Sequence, residues 1–410
     1  MKRSNLIIYF VPEKKRVNGG IMSIFSQCKE SRRFSHLHNS DVVVCVYPGF
    51  ETYRRNDLFK NSEKIYSFEE IIRSWVKPKR LLLQMPENSI NVIMSALNTS
   101  KYAEYVEQVN HVHVNVMTQN IELIKPVPEF ANLFLLSPYV TQTTAHKKYA
   151  TQELSNNYHT PVHHLSVFND KSQYDVVPFE NKEDLIVYSP DHHPLKEKII
   201  EKIESSEKYK TQEIRGLTYD KYKKLVGRAK FCLTFGEGFD GYFIESYFSG
   251  SIGLSVYNDR FFPEESFKKL PSVSDSYESM LKSLDQTLAL LDNPKAYNEC
   301  VADALEKIDR ANNEVDYLKK MERFYKKDYD YLPEPIESAE IISCVVREKR
   351  EKSELADELQ AKIVELSRSL QKERECSQKN KSMLDSILNS RSWRVTVPLR
   401  YLNKSTHRQK

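Results

Sequence analysis

Two glutamates with seven residues between them, Glu237 and Glu245, bracket a glycine-rich run and are the side chains of this chain best placed to do chemistry. The run reads Phe231-Cys-Leu-Thr-Phe-Gly236-Glu237-Gly238-Phe239-Asp240-Gly241-Tyr242-Phe243-Ile244-Glu245-Ser-Tyr-Phe-Ser-Gly250. Its order is that of an apolar strand, a tight turn and the first turns of a helix. Glycines let backbone N–H groups come close to a ligand, and a helix N-terminus favours phosphate or sugar oxygens. A carboxylate accepts hydrogen bonds from neighbouring hydroxyls, so Glu237 in the turn and Glu245 on the helix can each hold a diol. In open α/β sheets ligands sit in the crevice at the carboxyl ends of the strands, where this turn falls.

The segment resembles the Glu-x7-Glu signature of retaining GT-B glycosyltransferases, family-4-like enzymes in particular. Glu237, Gly238, Phe239, Glu245 and Gly250 fall on that pattern, whereas Asp240 stands where a glycine is usual and Ile252 where a proline is common. The resemblance implies an α/β fold of two Rossmann-like domains facing a cleft. It implies Glu237 as the catalytic group at the donor hexose, with Gly238, Phe239 and Asp240 beside it and Glu245 on the nucleotide ribose. Residues 185–199 resemble the first strand and loop of the family's second domain, where a lysine often meets the donor diphosphate. Lys196 is the candidate there and Arg215 a second one, although the family's Arg-x4-Lys pair is absent. In such enzymes a Gly-Gly loop after the first strand faces the cleft, and Asn18-Gly19-Gly20 takes that place. Segments 81–87 and 116–120 end two predicted strands in polar groups, Gln84 and Glu87 in one and Gln119 and Asn120 in the other, that are expected to line an acceptor site, as is His113. The donor enters as a substrate, and the family needs no metal or other cofactor.

Rival chemistries fare worse. His163-His164 and His192-His193 are adjacent pairs, and neighbours on a strand point to opposite faces, so no metal site is assigned to them. Asp328-Tyr-Asp330 matches an Asp-x-Asp metal motif only formally, in a lysine-rich helix end.

The elements that must carry these residues alternate. Residues 6–11, 41–47, 80–84 and 112–117 read as buried strands, and 132–137 as a further one, with helices at 21–30, 67–75 and 89–96 between them. A second series gives strands at 185–189, 212–215, 231–235 and 251–256 and helices at 195–205, 219–229 and 242–248. Alternation of this kind predicts two parallel sheets flanked by helices, an acceptor domain over 1–168 and a donor domain over 169–335.

Composition bounds the rest. The net charge of +4 comes from 391–410, which holds six basic residues and no acid, leaving the remainder at about −2 and giving no footprint for nucleic acid. Six cysteines without a Cys-x-x-Cys pair fit a reduced, cytoplasmic chain. No run approaches the roughly 20 apolar residues of a membrane span. Leu359, Ile363, Leu366 and Leu370 follow a coiled-coil spacing within 336–390, which predicts a homo-oligomer. Segment 391–402 mixes Trp393, Leu399, Tyr401 and Leu402 with arginines, suited to an anionic membrane surface. It also resembles the Ser-Trp-Arg-x-Thr-x-Pro-Leu-Arg ending of bacterial surface-polysaccharide glycosyltransferases. The expectation is transfer from a nucleotide sugar to a growing, lipid-linked glycan at the inner face of the plasma membrane. A sugar-nucleotide epimerase of the same fold and a non-catalytic scaffold are the alternatives.

Overall fold

Unbroken β-branched and apolar sequence at 6–11 and 42–46 builds strands covered on both faces. These are β1 (Asn5–Val11) and β2 (Ser40–Val46) in the computed structural model, which describes residues 3–12, 19–48, 63–335 and position 362. The next strands are β3 (Ile65–Tyr66), β4 (Arg80–Pro86), β5 (His111–Thr118), β6 (Tyr139–Thr144) and β7 (Val162–His164). They form one parallel sheet in the order β3-β2-β1-β4-β5-β6-β7. A second parallel sheet, β12-β11-β10-β8-β9, holds β8 (Glu183–Tyr188), β9 (Lys210–Glu213), β10 (Ala229–Leu233), β11 (Ile252–Val256) and β12 (Val273–Ser274). Asn18, most of the expected coiled coil at 336–390 and the tail at 391–410 lie outside the described residues.

Alternating side chains of β1 feed two core layers, as the period of a strand requires. Leu6, Ile8 and Phe10 pack with Phe68, Ile71, Ile90 and Ile93 on one face. Ile7, Tyr9 and Val11 meet Ile21, Ile24 and Phe25 of the helix Gly19–Ser31 on the other.

The stretch expected as a strand at 132–137 is instead a 3-10 turn, Asn132–Leu135. Phe130 and Leu133 are buried while Leu135 is exposed, a helical spacing that alternation imitates over so short a run. The strand lies just beyond, in β6, whose buried residues include Thr141, Gln142, Thr143 and Thr144.

After the helix Pro294–Ala311 the chain returns to the first sheet. The return helix Glu314–Tyr325 buries Tyr317 and Met321 against Phe34 and Leu165. The Tyr325 hydroxyl lies 2.5 Å from Ser31 Oγ and 3.2 Å from the Tyr9 hydroxyl. Where the outgoing and returning passages meet they are stitched reciprocally. Asn169 N–H donates to Asn312 Oδ1 at 2.8 Å, and Asn312 Nδ2 donates to the Asn169 carbonyl at 2.7 Å.

Candidate active site

Each sheet has a point where its strand order reverses, between β1 and β4 in the first and between β8 and β10 in the second, and such switch points are where open α/β sheets hold ligands. Both open onto one cleft of about 1280 Å³.

The second sheet supplies an acidic floor. Beyond β10, Gly238 adopts φ +89° with its Cα so close to the Val256 carbonyl that a Cβ would stand 2.6 Å from it, so only glycine makes this turn. Phe239 anchors the turn among Phe243, Phe262 and Phe267. Asp240, where the family pattern has glycine, is the N-cap of the helix Gly241–Phe248: Oδ1 accepts from Phe243 N–H at 3.0 Å, and Oδ2 accepts from the Thr234 hydroxyl at 2.6 Å. Asp240 Oδ2 and Asp191 Oδ2 converge over Gly236, where a Cβ would lie 3.0 and 3.1 Å from them.

Glu237 stands beside this pair. Burial, then the charges of Asp240 and Asp191, push its carboxyl up to about 7, against the lowering effect of an Asn120 hydrogen bond. Burial likewise raises Asp240 to about 6, and Glu245 to about 7 although the Tyr222 and Tyr174 phenols bond to it. A carboxyl raised in this way donates a hydrogen bond when protonated and accepts when ionised.

The first sheet supplies the facing wall. Asn120, just past β5, donates Nδ2–H to Glu237 Oε1 at 2.9 Å, joining the two walls at the acid. Its own N–H donates to Glu87 Oε1 at 3.1 Å, and burial raises the Glu87 carboxyl. Beyond β6, His146 meets Phe261 of the second sheet's side edge-on at 5.6 Å, and burial pulls its imidazole down to about 4. At the rim Arg260 pairs with Glu122.

No protein-family model matches the sequence, and none of the curated proteins does. Solved structures do match. Sucrose-phosphate synthase from Thermosynechococcus elongatus aligns over 79% of this chain and 98% of its own, with a TM-score of 0.51 at 7% identity. The fold is GT-B. At so low an identity the likeness speaks of architecture alone. A glycosyltransferase from Rickettsia africae ESF-5 (TM-score 0.45, 9% identity, 79% of this chain and 98% of that one) is more distant still. So is UDP-GlcNAc 2-epimerase from Neisseria meningitidis bound to UDP-GlcNAc (TM-score 0.40, 13% identity, 80% and 99%). Neither bears on chemistry.

The GT-B cleft gathers most, but not all, of the residues singled out from the sequence. Glu237, Phe239, Asp240, Glu245 and Arg215 line it, as do Gly19, Gly20 and Gln119, whose Nε2 donates to the Gly20 carbonyl at 3.1 Å. Gly238 lies buried just behind the floor. Three residues are elsewhere. Lys196 is buried, and its ammonium donates to the Ser189 carbonyl (3.0 Å), the Asp191 carbonyl (3.1 Å) and Glu213 Oε1 (3.1 Å). An ammonium has three protons, and all three are used, so Lys196 fastens the β8 loop and leaves no donor for a diphosphate. Gln84 is buried inside the first sheet, where Oε1 accepts from Asn115 Nδ2 at 2.7 Å. His113 bonds Thr141 Oγ1 at 2.8 Å and stacks on Phe324 of the return helix. It sits near the amino end of β5, the wrong end of a parallel strand for a ligand.

Glu87 and Asn120 stand in the two polar strand ends, 81–87 and 116–120, expected from the sequence to line an acceptor site, whereas Asp191 and His146 were not assigned to the cleft, although each follows a strand by a few residues. That position at a carboxyl end is the one signal that marks them. Arg215 remains exposed on the cleft with its guanidinium held by Glu213, whose carboxyl that contact pulls down to about 2. Among the described residues no group of three His, Cys, Asp or Glu side chains is arranged to hold a metal, and no helix is long and apolar enough to cross a membrane.

Proposed function

We propose that the chain is a glycosyltransferase that takes its sugar from a nucleotide-sugar donor. The observation that carries this reading is Glu237: a largely buried carboxyl on a glycine turn, at the second sheet's switch point, bonded to Asn120 of the opposite wall. The donor hexose lies against Glu237 and the backbone of 238–240. The ribose points to Glu245, and the base lies in the recess of Leu217, Tyr219 and Tyr222 that continues the cleft. Arg215 and the N-terminus of the helix Gly241–Phe248 face the diphosphate, opposite the Gly19–Gly20 end of the first helix. The acceptor comes from the side of Glu87, Asn120 and His146. Catalysis then rests on positioning and on stabilising the charge of the departing diphosphate.

Substitution Glu237→Ala is expected to abolish sugar transfer while the protein keeps its melting temperature to within a few degrees. Full activity in that variant would sink the site assignment. The finer reading is retention of anomeric configuration and transfer to a lipid-linked bacterial surface glycan at the cytoplasmic membrane face, by an oligomer held through 336–390. Its support is the Glu-x7-Glu pattern, the heptad spacing and the 391–402 tail. Sedimentation with anionic vesicles, with and without 391–410, tests the membrane part.

A further inference from the structure

Next to the cleft lies a second hollow, of about 490 Å³, that shares Gly236 with it. Its other walls come from the carboxyl end of β11 and the loop beyond it, with Tyr257, Asn258 and Asp259, then Glu265 and Lys268, and from Tyr277 at the start of the helix Tyr277–Leu291. The volume falls in the range of small-molecule sites, about 300–1,000 Å³.

Its rings are held in place by their neighbours. Tyr257 stacks on Phe262 at 4.9 Å, and Tyr277 stacks on His193 at 3.7 Å and on Phe235 at 5.8 Å. Its charge is slightly negative, because Lys268 is already shared between Glu265 (3.7 Å) and the Tyr257 ring (4.5 Å) while Asp259 adds a further carboxylate. Such a surface repels phosphates and carboxylates and offers acceptors to hydroxyl groups. Gly236 is the threshold between the two spaces. Asp259, on the wall of the hollow, is followed in the chain by Arg260, which pairs with Glu122 at the rim on the acceptor's side of the cleft.

We propose that this hollow is a second carbohydrate subsite. It holds a neutral sugar unit of the acceptor, one linkage away from the unit that is glycosylated at Glu237. The protein is then an elongating transferase, fed by a reaction that has already placed at least one sugar. The proposal rests on the glycosyltransferase reading.

The test uses the full-length chain saturated with whichever of a set of nucleotide sugars binds it. Matched mono-, di- and trisaccharides of neutral hexoses and N-acetylhexosamines are titrated as probes by saturation-transfer NMR. In at least one series the disaccharide is expected to bind about tenfold more tightly than the monosaccharide, the worth of one aromatic-walled contact. Tyr257→Ala, and separately the exposed Asp259→Ala, should erase that increment without changing the melting temperature by more than a few degrees. Equal affinities for all lengths, or an increment that survives both substitutions in folded protein, overturns the subsite and leaves the glycosyltransferase reading standing. If no nucleotide sugar binds, the parent reading falls and this one with it.

Discussion

Replacing Lys196 by methionine separates two roles for that side chain. As a diphosphate ligand it would govern donor affinity; as a fastener of the β8 loop it governs stability. The structure gives it three charged hydrogen bonds, to two carbonyls and Glu213, with its side chain only 10% exposed. A hydrogen bond to a charged group contributes about 1.5–3 kcal/mol. Methionine restores the apolar stem and removes a desolvated charge, and Glu213 keeps Arg215, so the net loss is about 3 kcal/mol rather than the full sum. For a folding unit of 150–250 residues that is a fall in Tm of roughly 6–12 °C. Calorimetry reads the fall, and isothermal titration with a bound nucleotide sugar at a temperature where the variant is folded reads the affinity. An unchanged Tm with donor affinity lowered tenfold or more would refute the fastener role and restore Lys196 to the diphosphate.

The same logic gives three further outcomes. Asp240→Ala removes the N-cap of the helix Gly241–Phe248 and should cost about 1 kcal/mol, whereas Asp240→Asn keeps a capping oxygen and should cost less than about 0.5 kcal/mol, both by urea titration. Because Glu237 titrates near 7 when folded and near its ordinary value when unfolded, the native state binds the extra proton between those pH values, and this group's contribution to stability falls as pH rises through them. Glu237→Gln removes that dependence, so its stability relative to the parent should be higher at pH 8 than at pH 5 by up to about 3 kcal/mol, and equal differences at the two pH values would contradict the raised carboxyl. Tyr325→Phe deletes the hydroxyl shared with Ser31 and Tyr9 and should cost about 1–2 kcal/mol, seen as faster hydrogen exchange across 314–325.

What the sequence made legible was local. The strand, glycine turn and helix around Glu237 follow one another within 20 residues, so pattern and chemistry could be read together, and both glutamates line the cleft. Lys196 shows the limit: a lysine at a helix start reads as a ligand for phosphate until the carbonyls of Ser189 and Asp191 are seen to surround it. Gln84 was misplaced because a buried polar ladder inside a sheet and a polar lip on a cleft look alike in one dimension. β6 escaped because threonine and glutamine line its buried faces, so hydrophobic periodicity is silent there. The bond between Asn120 and Glu237 joins residues 117 apart in the chain, and the return of Glu314–Tyr325 to β1 spans about 300, distances over which no periodicity speaks.

The stitch between Asn169 and Asn312 has a mechanical consequence. Two bodies joined by a single thread can swivel and slide; two bodies joined by a pair of threads fastened side by side keep one easy swing, like a door on its pins. Fastened at Asn169 and Asn312, the two passages cannot slide past one another without breaking both hydrogen bonds. The asparagine pair thus sets the register of the double crossing, and its loss would show as lost precision rather than lost strength.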